Sequence, residues 1–276
     1  MKIALLITGQ LRTYSLCKHV IKNTLLDKYE VDTFLSIDKS NFLTNDDLNS
    51  HEYSNESMVN DVIQFFNPCD TFVCNSYDEI FKEKLKHINK KILQFTDVNK
   101  LQLIFEQYFI VYKAYELLIN HINHTGKKYD LVIRLRFDQF IWSESSNALS
   151  KYIIRNSRGN KVILFSEENT EKVRETSENL KIEIDIPKMN EIYVFGFSNR
   201  HWVNDQFWIH SHDKINVMSS YYESLHNIMN EAIHTNTYPT NNEPWFEVFF
   251  YRFLYKHNFE IKKSKIIGEF CREIYL

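Results

Sequence analysis

The sequence predicts an α/β protein built on a mostly parallel central sheet flanked by helices. Three observations carry that expectation. The first hundred residues alternate short apolar runs with amphipathic stretches of helical period. A long helical pattern over Asn99–His121 leads through Gly126 into a further apolar run at Asp130–Arg136. Strand–helix–strand order of this kind argues for parallel strands joined by right-handed crossovers.

Each element has a local reason. Lys2–Thr8 is a continuous apolar run and reads as the first strand. Thr13–Leu26 is expected to be a helix with Leu16, Val20 and Leu25 on its apolar side. Val31–Ile37 is a second strand ending at Asp38, and the Asn-, Asp- and Ser-rich stretch from Lys39 to Glu56 reads as a loop. Ser57–Phe66 is a short helix and Asp70–Cys74 a third strand. In the long helix, Leu101, Ile104, Phe105, Tyr108, Tyr112, Tyr115 and Leu118 keep the 3.6-residue period. Val162–Phe165 and Glu191–Phe197 read as strands, with a charged, solvated segment at 166–181 between them. Helices are expected at Asn204–His212, Ile215–Asn230 and Trp245–His257. With no internal repeat or low-complexity linker, residues 1–276 form one domain with an elaborated second half.

Bulk properties narrow the function. A net charge of −3 and a pI near 6.4 argue against a general binder of nucleic acid or anionic membranes. Cys17, Cys69, Cys74 and Cys271 lack zinc-ligand spacing, and Cys69 and Cys74 are expected to be buried thiols. Free cysteines without a disulfide framework fit a reducing, cytoplasmic location. The opening apolar run is too short for a signal peptide, and no run of about 18 apolar residues predicts a transmembrane helix.

The richest stretch for chemistry is Tyr129–Asp138, a β-branched run that carries Arg134 and Arg136 and ends on a carboxylate. Alternation puts Arg134, Arg136 and Asp138 on one face, with Ile133, Leu135 and Phe137 on the other. Guanidinium groups on a buried strand call for an anionic partner. At the C-terminal end of such a strand, where open α/β sheets bind ligands, a metal-bridged diphosphate would suit them. The alternative is a pair of structural arginines bridged to acids on flanking helices. Gly9-Gln10-Leu11-Arg12 occupies the first strand-to-helix turn, where glycine permits close backbone approach and Arg12 adds a cation. Asp38 reads either as a contact to a ribose or base or as a loop acid.

Asp205 is either a first-turn helix carboxylate or a catalytic acid/base, and it could cluster with His210 and His212. Glu243 precedes Pro244 at the start of the last helix, as a cap or as an acid at a pocket rim with Trp245 as a platform for a sugar ring. Neither a G-x-G-x-x-G fingerprint, a P-loop, a G-x-S-x-G elbow nor a zinc motif is present.

Taken in order, these segments resemble small glycosyltransferase-like proteins that build surface polysaccharides in bacteria and large DNA viruses. The resemblance rests on Leu5-Leu-Ile-Thr-Gly-Gln-Leu-Arg-Thr13, Val31-Asp-Thr-Phe-Leu-Ser36, Tyr129–Asp138, Asn204-Asp-Gln-Phe-Trp-Ile-His-Ser211 and Glu243-Pro-Trp-Phe-Glu247. It implies a GT-A-like, Rossmann-like fold and transfer of a sugar from a nucleotide-diphosphate donor to a glycan acceptor. A nucleotide-sugar-binding half at 1–140 and an acceptor-side half at 141–276 follow from it. That class holds a divalent ion, Mn²⁺ or Mg²⁺, with an Asp-x-Asp motif. Here the matching place reads Arg136-Phe137-Asp138, so only Asp138 carries over as a metal ligand. Gly9, Gln10, Arg12, Asp38, Arg134 and Arg136 would contact the donor. If the enzyme inverts, Asp205 or Glu243 would deprotonate the acceptor hydroxyl as general base. A nucleotidyl- or phosphotransferase on the same fold, or a carbohydrate-binding module without activity, are the competing readings.

Overall fold

A computed structural model of the chain describes residues 1–39, 56–94, 96–143, 149, 153–155, 161–163, 167–180, 182–198, 202–235 and 245–270. The first half runs β1 (Lys2–Gln10), α1 (Tyr14–Ile21), β2 (Glu30–Asp38), α2 (Glu56–Phe66), β3 (Asp70–Cys74) and α3 (Asp78–Lys86). It continues through α4 (Val98–Thr125), β4 (Leu131–Arg136) and β5 (Gln139–Ser143). Then come β6 (Ile153–Arg155), β7 (Lys161–Ile163), α5 (Glu167–Glu178), β8 (Glu191–Val194), β9 (Phe197–Ser198), β10 (Trp202–Val203) and β11 (Trp208–Ser211). The chain closes with α6 (Ile215–Ser219), α7 (Tyr221–His234), α8 (Trp245–Lys256), β12 (Glu260–Lys263) and β13 (Ile266–Phe270).

Seven strands form one sheet in the order β12-β8-β11-β4-β1-β2-β3. All share one direction except β11, which pairs antiparallel with both β4 and β8. This is the expected α/β sheet flanked by helices, and it draws strands from both halves of the chain.

The sheet is buried on both faces, which explains the unbroken apolar run of β1. Ala4 and Leu6 join Phe34 and Val132 under α4, α7 and α8. Ile3, Leu5 and Ile7 join Leu35, Ile133 and Leu135 under α1, α2 and the β5/β13 ribbon. The 28-residue α4 is bounded by chemistry readable in sequence. Asp97 accepts from the Lys100 amide at 2.7 Å, and Gly126 ends the helix at φ 67°. No helix of the described residues is long and apolar enough to cross a membrane.

Several local expectations are corrected. The segment expected as a helix at Asn204–His212 is a turn followed by strand β11. Asn204 Oδ1 accepts from the Gln206 amide at 3.1 Å, a local turn that competes with helix. From there Trp208 packs on one face of the sheet while Phe207 and Ile209 pack on the other. The charged stretch near 166–181 is not simply solvated, because α5 buries Val173 and Ser177. The helix expected to reach Leu26 changes to π form over Lys22–Leu26, where Thr24 Oγ1 donates back to the Val20 carbonyl at 2.5 Å. Ile215–Asn230 divides at Ser220 into α6 and α7. The strand expected to run to Phe197 stops at Val194. Cys74 is buried as expected, but Cys69 is exposed.

Gly268 in β13 faces the Phe195 ring so closely that an added Cβ would lie 1.9 Å from Cζ. Phe195 cannot swing away freely, since it stacks flat on Phe207 with ring centroids 4.2 Å apart. Gly268→Ala is therefore expected to destabilise the fold by roughly 1–3 kcal/mol through overpacking. Denaturant unfolding checks this, and an unchanged midpoint would show that the Phe195–Phe207 stack yields without cost.

Candidate functional site

The C-terminal ends of β1, β2 and β4 open into two adjoining cavities. One is lined by Thr8, Gly9, Gln10, Arg12, Asp38, Leu103, Glu106, Gln107, Ile110, Arg134, Arg136 and Phe246. The other is lined by Arg12, Gln107, Arg136, Asp138, Asp205, Gln206, Phe246 and Glu247. Every site residue expected from the sequence lines one or both, except Glu243, which lies outside the described residues.

Strand register explains the convergence. Thr8 pairs with Arg136 and Leu6 with Arg134 across β1–β4, while Gln10 pairs with Asp38 across β1–β2. Gly9 has φ 111°, a conformation that a side chain would strain, and the space beyond it is open. Arg12 returns over the turn, its Nε donating to Gln10 Oε1 at 2.8 Å.

The two arginines have different tasks. Arg134 is 2% exposed. Its Nε donates to Thr8 Oγ1 at 3.1 Å and its Nη1 to the Asp205 carbonyl at 2.6 Å. The guanidinium also sits 4.7 Å from the Trp208 ring centroid. Burial lowers its pKa to about 10, so it remains a cation at neutral pH. Arg136 is bound instead to Asp138, Nε to Oδ1 and Nη2 to Oδ2, each at 2.8 Å. Asp138 lies in the turn after β4 rather than on the strand, so strand alternation alone does not place it. Its partner is Arg136, the last residue of β4, rather than a base on a flanking helix. Burial would raise the Asp138 pKa, but the Arg136 charge and hydrogen bonds hold it below the ordinary value.

Asp205 enters from the segment before β11. Because β11 runs antiparallel, its start lies at the same edge as the ends of β1 and β4. Asp205 Oδ2 accepts from Gln107 Nε2 at 2.5 Å and from the Tyr108 hydroxyl at 2.6 Å. Burial nonetheless raises its pKa. Glu247, in the first turn of α8, faces the same cavity and reaches a pKa of about 7, through burial first and the Asp205 charge second.

Glu106 on α4 lines the other cavity and accepts from Gln102 Nε2 at 2.6 Å. Burial, followed by the charge of Asp38, raises its pKa to about 7. Glu106, Gln107 and Glu247 were not singled out in the sequence. The available signals were an acid inside an apolar helix and the second acid of Glu-Pro-Trp-Phe-Glu.

His210 and His212 do not join Asp205. His210 Nδ1 donates to the Ser211 carbonyl at 2.8 Å, and its Nε2 lies 2.7 Å from the Tyr115 hydroxyl. Burial lowers its pKa to about 4, which fits a neutral core imidazole. His212 Nδ1 accepts from the Tyr129 amide. Trp142 and Trp208 are buried in the core.

Each Asp138 oxygen accepts a hydrogen bond from Arg136. Among the described residues, the group with metal-ligand spacing is Asp32, Cys69 and His121. It stands about 20 Å away, at the opposite ends of the strands. There Asp32 Oδ2 already accepts from Lys127 and Tyr129, each at 2.7 Å. Compared with known proteins, the chain matches no family model and no curated protein.

The raised pKa of Glu106 has a definite stability consequence. Between its ordinary value of 4.5 and about 7, the folded protein binds more protons than the unfolded chain. Its contribution to stability is therefore present below about 4.5 and is lost as pH rises through about 7. Glu106→Gln removes that term while keeping an acceptor for Gln102. The variant should melt increasingly above the parent as pH rises from 5 to 8; a pH-independent difference would show that Glu106 is not held protonated.

Proposed function

We propose that this protein is a GT-A-like glycosyltransferase that moves a sugar from a nucleotide-diphosphate donor to a glycan acceptor. One observation carries the reading: arginines and buried acids with raised pKa values line one cleft at the carboxyl ends of a parallel sheet. Arg12, Arg136 and the open backbone at Gly9 suit the diphosphate. Asp38 and Glu106, on the same cavity, suit the hydroxyls and polar edges of a nucleoside. Asp205 and Glu247 lie beyond the arginines, where the sugar and acceptor would meet.

The chemistry follows from these positions. In an inverting displacement the acceptor oxygen bonds to the anomeric carbon as that carbon's bond to the phosphate oxygen breaks. The electron pair leaves with the diphosphate, whose added charge is met by guanidinium groups already in place. Glu247 takes the acceptor's hydroxyl proton. Asp205 is the poorer base, because Tyr108 and Gln107 already satisfy its carboxylate as an anion. Its fixed charge instead keeps Glu247 basic near neutral pH.

Nucleotidyl or phosphoryl transfer would use the same anion site, and labelled donors separate the outcomes. Sugar label appearing in the acceptor is expected; phosphate label there would replace this reading with phosphotransfer. UDP, GDP, dTDP and their sugars should be screened by thermal shift. A ligand at 100 times its Kd stabilises by about 2.7 kcal/mol, so a shift with at least one is expected and none would remove the reading. Glu247→Gln should lower transfer by roughly 10²–10⁴-fold while donor affinity stays within about twofold, and should abolish the rise in rate near pH 7. Equal losses of binding and turnover would make Glu247 structural.

A further inference from the structure

We infer that the diphosphate end of this cleft works without a bound metal, with Arg136 as the principal counter-charge and Asp138 as the residue that positions it. The inference rests on the sugar-nucleotide reading and concerns how that site meets the charge.

Its basis is the donor set. A carboxylate that ligates a divalent ion must present an oxygen lone pair to it. Asp138 presents both oxygens to one guanidinium in a bidentate fork, at 2.8 Å each. The carboxylate is 1% exposed and sits in the turn where the chain reverses from β4 into β5. The Gln139 side-chain oxygen accepts from the Arg136 amide at 2.9 Å, so the same turn fixes the arginine's backbone as well as its side chain. A divalent ion at Asp138 would also lie beside two cations, Arg136 and Arg12, both of which line the cavity. Asp205 Oδ2 is likewise engaged by protein, with two hydrogen bonds from Gln107 and Tyr108.

The same features favour an anionic guest. Arg136 lines both cavities, so its guanidinium faces the space where a diphosphate would lie. The bidentate pair with Asp138 holds the guanidinium plane in one orientation, which lowers the ordering cost of binding. As the bond to the anomeric carbon breaks, the departing oxygen keeps the electron pair, and the resulting charge meets a cation already in place. In this arrangement Asp138 acts through Arg136 and is a positioning residue.

Calorimetry with UDP, GDP and inorganic pyrophosphate, in EDTA and again with Mn²⁺ or Mg²⁺, tests this on the chain of residues 1–276. At least one of these should bind in EDTA, with a Kd that metal improves by no more than about twofold. Arg136→Lys, which keeps charge but loses the fork, should weaken that binding about tenfold in both conditions. Asp138→Asn should weaken it equally with and without metal, provided its melting curve shows a folded protein. A tenfold or greater tightening by metal in the parent that vanishes in Asp138→Asn would overturn the inference and make Asp138 a metal ligand. Binding that survives Arg136→Lys unchanged would also overturn it. If none of the three binds under any condition, the sugar-nucleotide reading itself falls, and this inference with it.

Discussion

A guanidinium group buried in the middle of a sheet has to be met entirely by protein, and Arg134 imposes that requirement here. Its partners are Thr8 on β1, the Asp205 carbonyl before β11 and the ring of Trp208 on β11. These segments are far apart in sequence and come together only if the second half of the chain inserts beside β4. An uncompensated charge at this depth would cost several kcal/mol, so strand order and register are tied to one side chain. Two residues later, on the same face, Arg136 emerges at the mouth of the cleft. The buried arginine anchors the frame from which the accessible one works.

The carboxylates of the cleft are sorted by their neighbours rather than by their type. Asp138 meets a cation and stays ionised. Burial drives Asp205 upward, and burial followed by the Asp205 charge drives Glu247 upward. The hydrogen-bond donors on Asp205 decide which of the two carries the negative charge. Like charges placed together and opposite charges placed together, within one cavity, give groups suited to different tasks.

Much of this was legible in the residues. The β1 run is apolar on both faces, β2, β3 and β4 are rich in β-branched and apolar residues, and α4 declares its ends with Asp97 and Gly126, so local pattern sufficed. The convergence of Gly9, Arg12, Asp38 and Arg136 followed from placing each at the carboxyl end of a parallel strand. What escaped was non-local. Phe207-Trp208-Ile209 is compatible with either period, and an Asn204 turn with pairing to β4 and β8 decided for strand. Glu247 looked like an ordinary first-turn acid, because its perturbation comes from burial and then from Asp205, forty-two positions earlier. Pairing of Asp138 with Arg136 depended on a reversal after Phe137, whereas alternation extended the strand through it. The role of Glu106 required knowing that the helix face bearing it closes a cavity.

The sharing of one sheet by both halves also bears on how the chain can be divided. Residues 1–140 and 141–276 read as functional halves, yet β4 lies between β1 from the first and β11 from the second. A fragment ending near residue 140 would leave β4 as a raw edge, with unpaired backbone groups on one side and Arg134 deprived of Trp208 and the Asp205 carbonyl. Such a fragment would be prone to self-association rather than a free nucleotide-binding module. Complementation from two separately expressed pieces would have to begin by zipping β11 onto β4. The two sides of this cleft are thus parts of one cooperative unit, and neither can be transplanted alone.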